Sequence, residues 1–381
     1  MAVNGFISAD SHVNEPEVVW ERIPKNLRER GPHFIQDPPG KKGLYFCFEG
    51  HEPDPVGQTF LAGSGRDPAI VKDTIENFTW EKWPGPWDPE ARLSDMDLDS
   101  VQIEVLYPSM ARNFYGLYGQ DTPLQLAGIR AYNDWIMEYC GAVPDRLIPL
   151  AILSVLDIGW SVEEMKRCAK LGHKGFMLPP GLPDDMSYVD PAFEPIWAES
   201  EGMDLPVHFH ININQGTDRK VYQIKEASIL KAGNRTVKRQ VYDAAELLKD
   251  LLFGLVLERH PHMRVVFAEY ELSWIIPFMT RMDGPARRFG QDNPDLAHMT
   301  ALPSETIRRQ VHITFQNDPA GIAGSAALGL LDNCMWANDY PHGGATWPNS
   351  KEIVAAQLTD LDHKTVQKLV WGNAASFYGI Q

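Results

Sequence analysis

The chain has 381 residues, of which 44% are hydrophobic and 23% charged, enough to bury a large core and too apolar for a disordered tail. Thirty-five Lys+Arg against 51 Asp+Glu leave a net charge of −16, which argues against general nucleic-acid or anionic-membrane binding. Four distant cysteines (Cys47, Cys140, Cys168, Cys334) and the lack of an apolar run of ~18 residues fit a soluble, cytoplasmic protein without disulfides or a membrane span.

Along the chain, short apolar runs alternate with longer amphipathic stretches. The first run, 5–9, is followed by an excursion, 16–92, rich in Pro, Gly and Trp (Trp80, Trp83, Trp87). Further runs at 101–107, 147–153, 175–178, 205–211, 264–268, 311–315 and 335–337 predict strands. Segments 122–140, 161–171, 192–201, 241–259, 273–281, 320–331 and 350–361 predict helices. In 122–140, Leu124, Ala127, Ile129, Tyr132 and Ile136 recur mostly three or four residues apart, along one helix face. Eight strands alternating with helices imply parallel pairing through helical crossovers. At this length the simplest solution is an α/β fold, a (β/α)8 TIM barrel with a long insertion after the first strand. An open doubly wound sheet competes, but no G-x-G-x-x-G or G-x-x-x-x-G-K-[ST] follows any strand. One domain over 1–381 is expected, with 16–92 packed on the barrel's flank, closing over its C-terminal mouth, or both.

Barrel chemistry sits at the C-terminal strand ends. The first run leads into Asp10-Ser-His12-Val-Asn-Glu15, and period-2 alternation puts Asp10 and His12 on one face. The fifth carries His208 and His210, the sixth ends at Glu269, and the eighth leads to Asp339 and His342. One strand histidine is more often a hydrogen-bonded core residue, but four strand ends bearing His or carboxylate at one rim point to a divalent cation with an open position. His312, on the seventh strand, lacks such a pattern and reads as core.

The ordered set of Asp10-Ser-His12, PVHFH, HPHMRVVFAEYELSWIIPFMTRMD, WANDYPHGGATWPNS and WGNAASFYG resembles the amidohydrolase superfamily. It is most similar to the amidohydrolase-related branch that contains aminocarboxymuconate semialdehyde decarboxylase and the resorcylate-type decarboxylases. The resemblance covers 1–15 and most of 93–381. It implies metal ligands at Asp10, His12 and His210, and at Asp339, which would also handle a proton. Where many relatives carry a catalytic or metal-binding histidine after the sixth strand, this chain has Glu269, a departure that bears on mechanism. Lys174 stands at the start of the fourth strand rather than its end, so a carbamylated-lysine bridge is not expected; Glu269 could bind or bridge a second metal. The resemblance also implies a homo-oligomer.

Two reactions follow, with a non-catalytic binding module as a third reading. A hydrolase would activate water at the ion and attack a carboxyl derivative (ester, thioester or amide) or an activated C–C bond, with Asp339 or Glu269 moving the proton and His208 a further catalytic candidate. A decarboxylase would hold an aromatic or unsaturated acid and protonate its carbon. Glutamate ordinarily titrates near 4.3 and histidine near 6.5, so Glu269 is the poorer acid at neutral pH, which favours hydrolysis. Segment 219–239 carries seven Lys/Arg and one Glu, so Arg219 and Lys220, together with His342, are candidate contacts to an anionic, ring-bearing substrate. A solvated or subunit-facing helix is the plainer reading of that charge run. Aromatics in the excursion and Phe114, Tyr115 and Tyr118 could wall such a ring. Mixed imidazole and carboxylate ligands suit Zn, Mn or Fe, as one ion or two, with Glu15, His208 and Glu269 as spare ligands.

Overall fold

The computed structural model describes residues 5–63, 68–117, 121–183, 185–211, 238–289 and 298–380. Eight parallel barrel positions follow in chain order. They are β1 (Phe6–Val13), β5 (Val101–Pro108), the paired segments β6 (Leu147–Pro149) and β7 (Ala151–Ile152), β8 (Phe176–Leu178), β9 (Val207–His210), β10 (Val265–Ala268), β11 (Val311–Phe315) and β12 (Cys334–Trp336). Ladders run β1–β5–β6 and β7–β8–β9–β10–β11–β12, all parallel, and only Leu150 separates the two runs. Between β12 and β1 the backbone closes the ring beyond the strand end: Asp339 N–H donates to Asp10 C=O at 3.0 Å and His12 N–H to Tyr340 C=O at 2.6 Å. The fold is the α/β barrel expected. Parallel strands covered by helices are buried on both faces, and every residue of β1, β9, β10 and β12 is buried.

Helix starts follow local rules. Asp88, Asp121, Asp157 and Asp318 each accept backbone N–H groups of the following first turn, and three of the four are followed by proline at N1 or N2. Such caps contribute about 1 kcal/mol each.

The structure departs from the sequence reading in several places. β1 runs on to Val13, so Asp10 and His12 lie within it. The third strand divides at Leu150, where pairing passes from β5 to β8. The helix expected over 241–259 breaks at Gly254 and Leu255, the latter at φ 59°, into Ala244–Phe253 and Val256–Arg259. The excursion is itself folded: strands β2 (His33–Gln36), β3 (Leu44–Phe48) and β4 (His51–Pro55) form an antiparallel sheet, followed by a helix over Pro68–Glu76. Its boundary at 92 falls inside a helix, Pro89–Asp99, that leads into β5. The excursion is tied to the barrel rim by Thr59 Oγ1, which donates to Asn14 Oδ1 at 2.6 Å, and by Ala62 N–H to Pro341 C=O at 2.9 Å. Among the described residues no helix is long and apolar enough to cross a membrane.

Candidate metal centre

Three buried groups from opposite sides of the barrel meet at its C-terminal rim. Asp10 and His12 come from β1, which gains one residue on β5 between Ser8 and Ser11, a bulge that re-aims the side chains beyond it. His210 ends β9. Asp10 Oδ1 stands 3.5 Å from His12 Nε2 and 3.4 Å from His210 Nε2, and the two Nε2 atoms face each other at 3.0 Å. Each Nδ1 lies against a backbone carbonyl: His12 on Pro108 at 3.3 Å, His210 on Ile211 at 2.6 Å. Both Nδ1 atoms must therefore carry the proton, and two lone pairs point at one another. Both Asp10 oxygens are buried without a hydrogen bond.

A second group overlaps the first at His12. Asp339, held at φ 57°, lies 3.5 Å from His12 Nε2. His342 donates Nδ1–H to Asp339 Oδ1 at 3.0 Å, sets Nε2 3.3 Å from Ser109 Oγ, and packs its ring 3.9 Å from that of His12. Glu269, at φ 64°, places Oε2 3.5 Å from His210 Nε2. Asp10, His12 and His210, and likewise His12, Glu269, Asp339 and His342, each bring one ligand atom within 4.8 Å of the others.

The electrostatics fit a cation. Burial pushes the Asp10 and Asp339 carboxyls well above the usual range, and the Asp10 charge raises Asp339 further. Desolvation, then the Asp339 carboxylate, pushes Glu269 up to about 8; 29% of its side chain opens on the cavity, where solvent moderates the shift. Burial holds His12 and His210 below the usual imidazole range and His342 down to about 3, so all three are neutral, the form that binds metal. The facing Nε2 pair and the bare Asp10 oxygens are the donor types a divalent cation takes.

The rim is braced from behind. Arg92, fully buried and paired with Glu104, donates Nη1–H to His12 C=O at 2.8 Å. Ser8 and Ser11 both donate to Asn338 Oδ1, at 2.9 and 2.7 Å. After β10 and β11, Glu271 accepts the Gln316 and Asn317 N–H groups, while Asp318 accepts those of Leu272 and Ser273. The two loops thus lock each other, and Glu269 with them.

A cavity of about 330 Å³ opens over the site. Glu269, Asp339 and His342 form one wall; Phe46, Pro55, Val56 and Leu61 of the excursion face them, and Met110 and Arg112 flank both. The excursion therefore contributes lining at the C-terminal mouth.

Other expected site residues fall elsewhere. His208 sits one layer below His210, with Nδ1 2.7 Å from the Tyr107 hydroxyl and Nε2 buried without a partner; it does not line the cavity. Gly175 makes its room, since a Cβ there would come within 2.6 Å of His208 Nε2. His312 stands opposite Val266, as His208 does, with its ring 4.4 Å from that of Phe377, and it does not line the cavity. Glu15 is not a spare ligand: its carboxylate accepts the N–H groups of Met110 and Ala111 at 2.8 and 3.0 Å, and burial raises it to about 7. Arg219, Lys220 and Tyr118 lie outside the described residues, as does most of the basic segment. Phe114 and Tyr115 are fully buried core. Arg112 escapes a reading by strand ends because it stands four residues past β5, in a short 3-10 helix over Ala111–Leu117; its place in the connection after the second strand is the only signal.

Comparison with known proteins agrees with this fold. The chain is 28% identical over 306 residues to a 2-amino-3-carboxymuconate-6-semialdehyde decarboxylase of Dictyostelium discoideum, a match covering 77% of each chain. Among solved structures it resembles an amidohydrolase from Mycobacterium avium subsp. paratuberculosis K-10, with a TM-score of 0.77 at 20% identity over 99% of this chain and 100% of that one. It also resembles a dihydroxybenzoic acid decarboxylase from Polaromonas sp. JS666 with bound manganese and the inhibitor 2-nitroresorcinol. That likeness has a TM-score of 0.68 at 14% identity and covers 99% of this chain and 98% of that one. These structural likenesses are of fold. The family model described as Amidohydrolase matches residues 10–380, and the chain belongs to that family.

Proposed function

We propose that the protein is a divalent-cation-dependent decarboxylase that removes carbon dioxide from a small aromatic or unsaturated carboxylic acid. The observation that carries this reading is the coincidence of a cation donor set at the barrel rim with a decarboxylase relative matching 77% of each chain. The manganese in the Polaromonas structure supports a metal of that kind.

Asp10, His12, His210 and Asp339 would hold the ion. When bound, it supplies Lewis-acid stabilisation of negative charge on substrate oxygens. The chain's own groups do the rest. Glu269, on the cavity wall, hands its proton to the carbon bearing the carboxyl group. The C–C bond then breaks, its electron pair returns to the ring or double bond, carbon dioxide leaves, and Glu269 regains a proton from solvent. His342 keeps Asp339 oriented through the Nδ1–H bond.

The sequence argument for hydrolysis rests on Glu269 being an ordinary carboxyl. Its surroundings weigh against that premise, because desolvation, then the Asp339 carboxylate, raises it to about 8 in the metal-free site. A cation would draw it down and a bound carboxylate would raise it again; the protein's own contribution is upward.

The test is manganese-loaded protein with a panel of hydroxybenzoates in D₂O. Expected is carbon dioxide release with one deuterium on the carbon that lost it. Hydrolysis of an ester or amide panel in ¹⁸O-water with label in the product acid, and no carbon dioxide from any aromatic acid, would return the hydrolytic reading.

A further inference from the structure

The cavity wall carries a buried cation that no described carboxylate meets at ion-pair distance, although the charges of Asp10, Glu15 and Asp339 reach it. Arg112 is 8% exposed and donates Nε–H to the Ser109 carbonyl at 3.1 Å; among the described residues it has no ion-pair partner. Arg92, the other deeply buried arginine at this end, is paired with Glu104. The terminal nitrogens of Arg112 make no hydrogen bond to a described residue, and the side chain lines the cavity, where an anionic ligand can pair with them.

Two further observations aim it at a ligand. The loop is held rigid because the buried Glu15 carboxylate accepts the N–H groups of Met110 and Ala111, immediately before Arg112. The charge of Arg112 also reaches Asp10, His12, His210, Asp339 and His342, so the guanidinium stands within range of the whole donor group. With Nε on Ser109, the terminal nitrogens keep their four N–H donors, an edge that matches the two oxygens of a carboxylate.

We infer that Arg112 is the carboxylate receptor of the cavity, holding the substrate's reacting carboxylate beside the cation-binding group. This assignment rests on the proposed decarboxylation only for which carboxylate is held. The ligand class is a small planar monocarboxylate, since a cavity of about 330 Å³ is at the lower end of the roughly 300–1,000 Å³ of small-molecule sites.

Calorimetric titration of the manganese-loaded protein tests it with three matched probe pairs: benzoate and benzamide, 2-hydroxybenzoate and 2-hydroxybenzamide, 2,6-dihydroxybenzoate and 2,6-dihydroxybenzamide. Expected is that the parent prefers the acid of at least one pair, and that Arg112→Met weakens this acid about 10- to 100-fold and leaves its amide unchanged. Arg112→Lys, which keeps charge but loses the fork, should recover part of the preference; if the Met variant does not fold, a narrowed acid preference in the Lys variant decides the matter. Equal loss of acid and amide, an unchanged preference, or no acid preference in the parent for any pair overturns the assignment. Acid binding that depends on Arg112 without carbon dioxide release sinks the proposed reaction and leaves the receptor standing. Carbon dioxide release with kcat/KM untouched by Arg112→Met does the reverse.

Discussion

The two facing walls of the cavity are built on opposite principles. The barrel wall is polar, and its groups leave rigid strand ends whose backbones hydrogen-bond to one another across the ring. The excursion wall mixes apolar side chains (Phe46, Pro55, Val56, Leu61) with Asp54, Gln58 and Thr59, and hangs on the rim through a few tethers such as Thr59 to Asn14. Groups that must meet within a few tenths of an ångström sit on the stiff wall, and groups that shape a substrate sit on the wall that can vary without disturbing them. Chemistry and selection are thus separable here, and substitutions on each side should fail in different ways.

The largest effect is expected on the barrel wall. His210→Ala or Asp10→Asn should lose manganese and lower turnover by about a thousandfold or more, read by elemental analysis and carbon dioxide release. Full metal content with parental rates in either variant would remove that residue from the centre. Next comes Glu269→Gln, which should reduce kcat by roughly 10²–10⁴ with little change in Tm, as befits an acid rather than a strut. Parental kcat there would hand proton delivery to another group.

On the excursion wall the signature changes. Leu61→Ala should raise KM about tenfold with kcat nearly unchanged, because it removes binding common to ground and transition states. A drop in kcat at constant KM would mean that this wall takes part in chemistry, and the contrast between the walls would collapse.

The smallest effect concerns the loop between the walls. Burial holds Glu15 near 7, against an ordinary value of 4.5. Between those values the folded protein keeps a proton that the unfolded chain has released, so stability falls as pH rises through the window, by up to roughly 3 kcal/mol. In urea titrations of metal-free protein from pH 4.5 to 7.5, Glu15→Gln should flatten that slope. It should also lose some stability at the acid end, where its NH₂ meets a backbone N–H donor. An unchanged slope would show that Glu15 is not the titrating group.

Much of this arrangement could be read in advance, for reasons that differ by residue. β11 falls on 311–315 as expected because Val311, Ile313 and Phe315 alternate with His312 and Thr314, the period-2 pattern of a strand. Asp10 and His12 were legible because alternate residues of a strand share a face. The helix Pro89–Asp99 was obscured by the Pro- and Trp-rich stretch before it, although Asp88-Pro89 is a start signal in plain view. Glu15 looked like a ligand because a carboxylate near two others always does; only the tertiary fold brings the N–H groups of residues 110 and 111 to it. Arg112 had no periodicity to betray it, and its meaning comes from what surrounds it. The raised Glu269 was equally out of reach, since its surroundings are assembled from residues 59 to 259 positions away.

The backbone bond from Asp339 to Asp10 joins carboxylates 329 positions apart, one near each terminus. A nascent polypeptide still on the ribosome would present Asp10, His12 and His210 long before Asp339 emerged. Ion capture in its mature form and the final stitching of the cylinder then become one event in biosynthesis. A chain cut short before Asp339 would carry an incomplete nest of candidate ligands and would lack the bond that joins the first and last barrel positions.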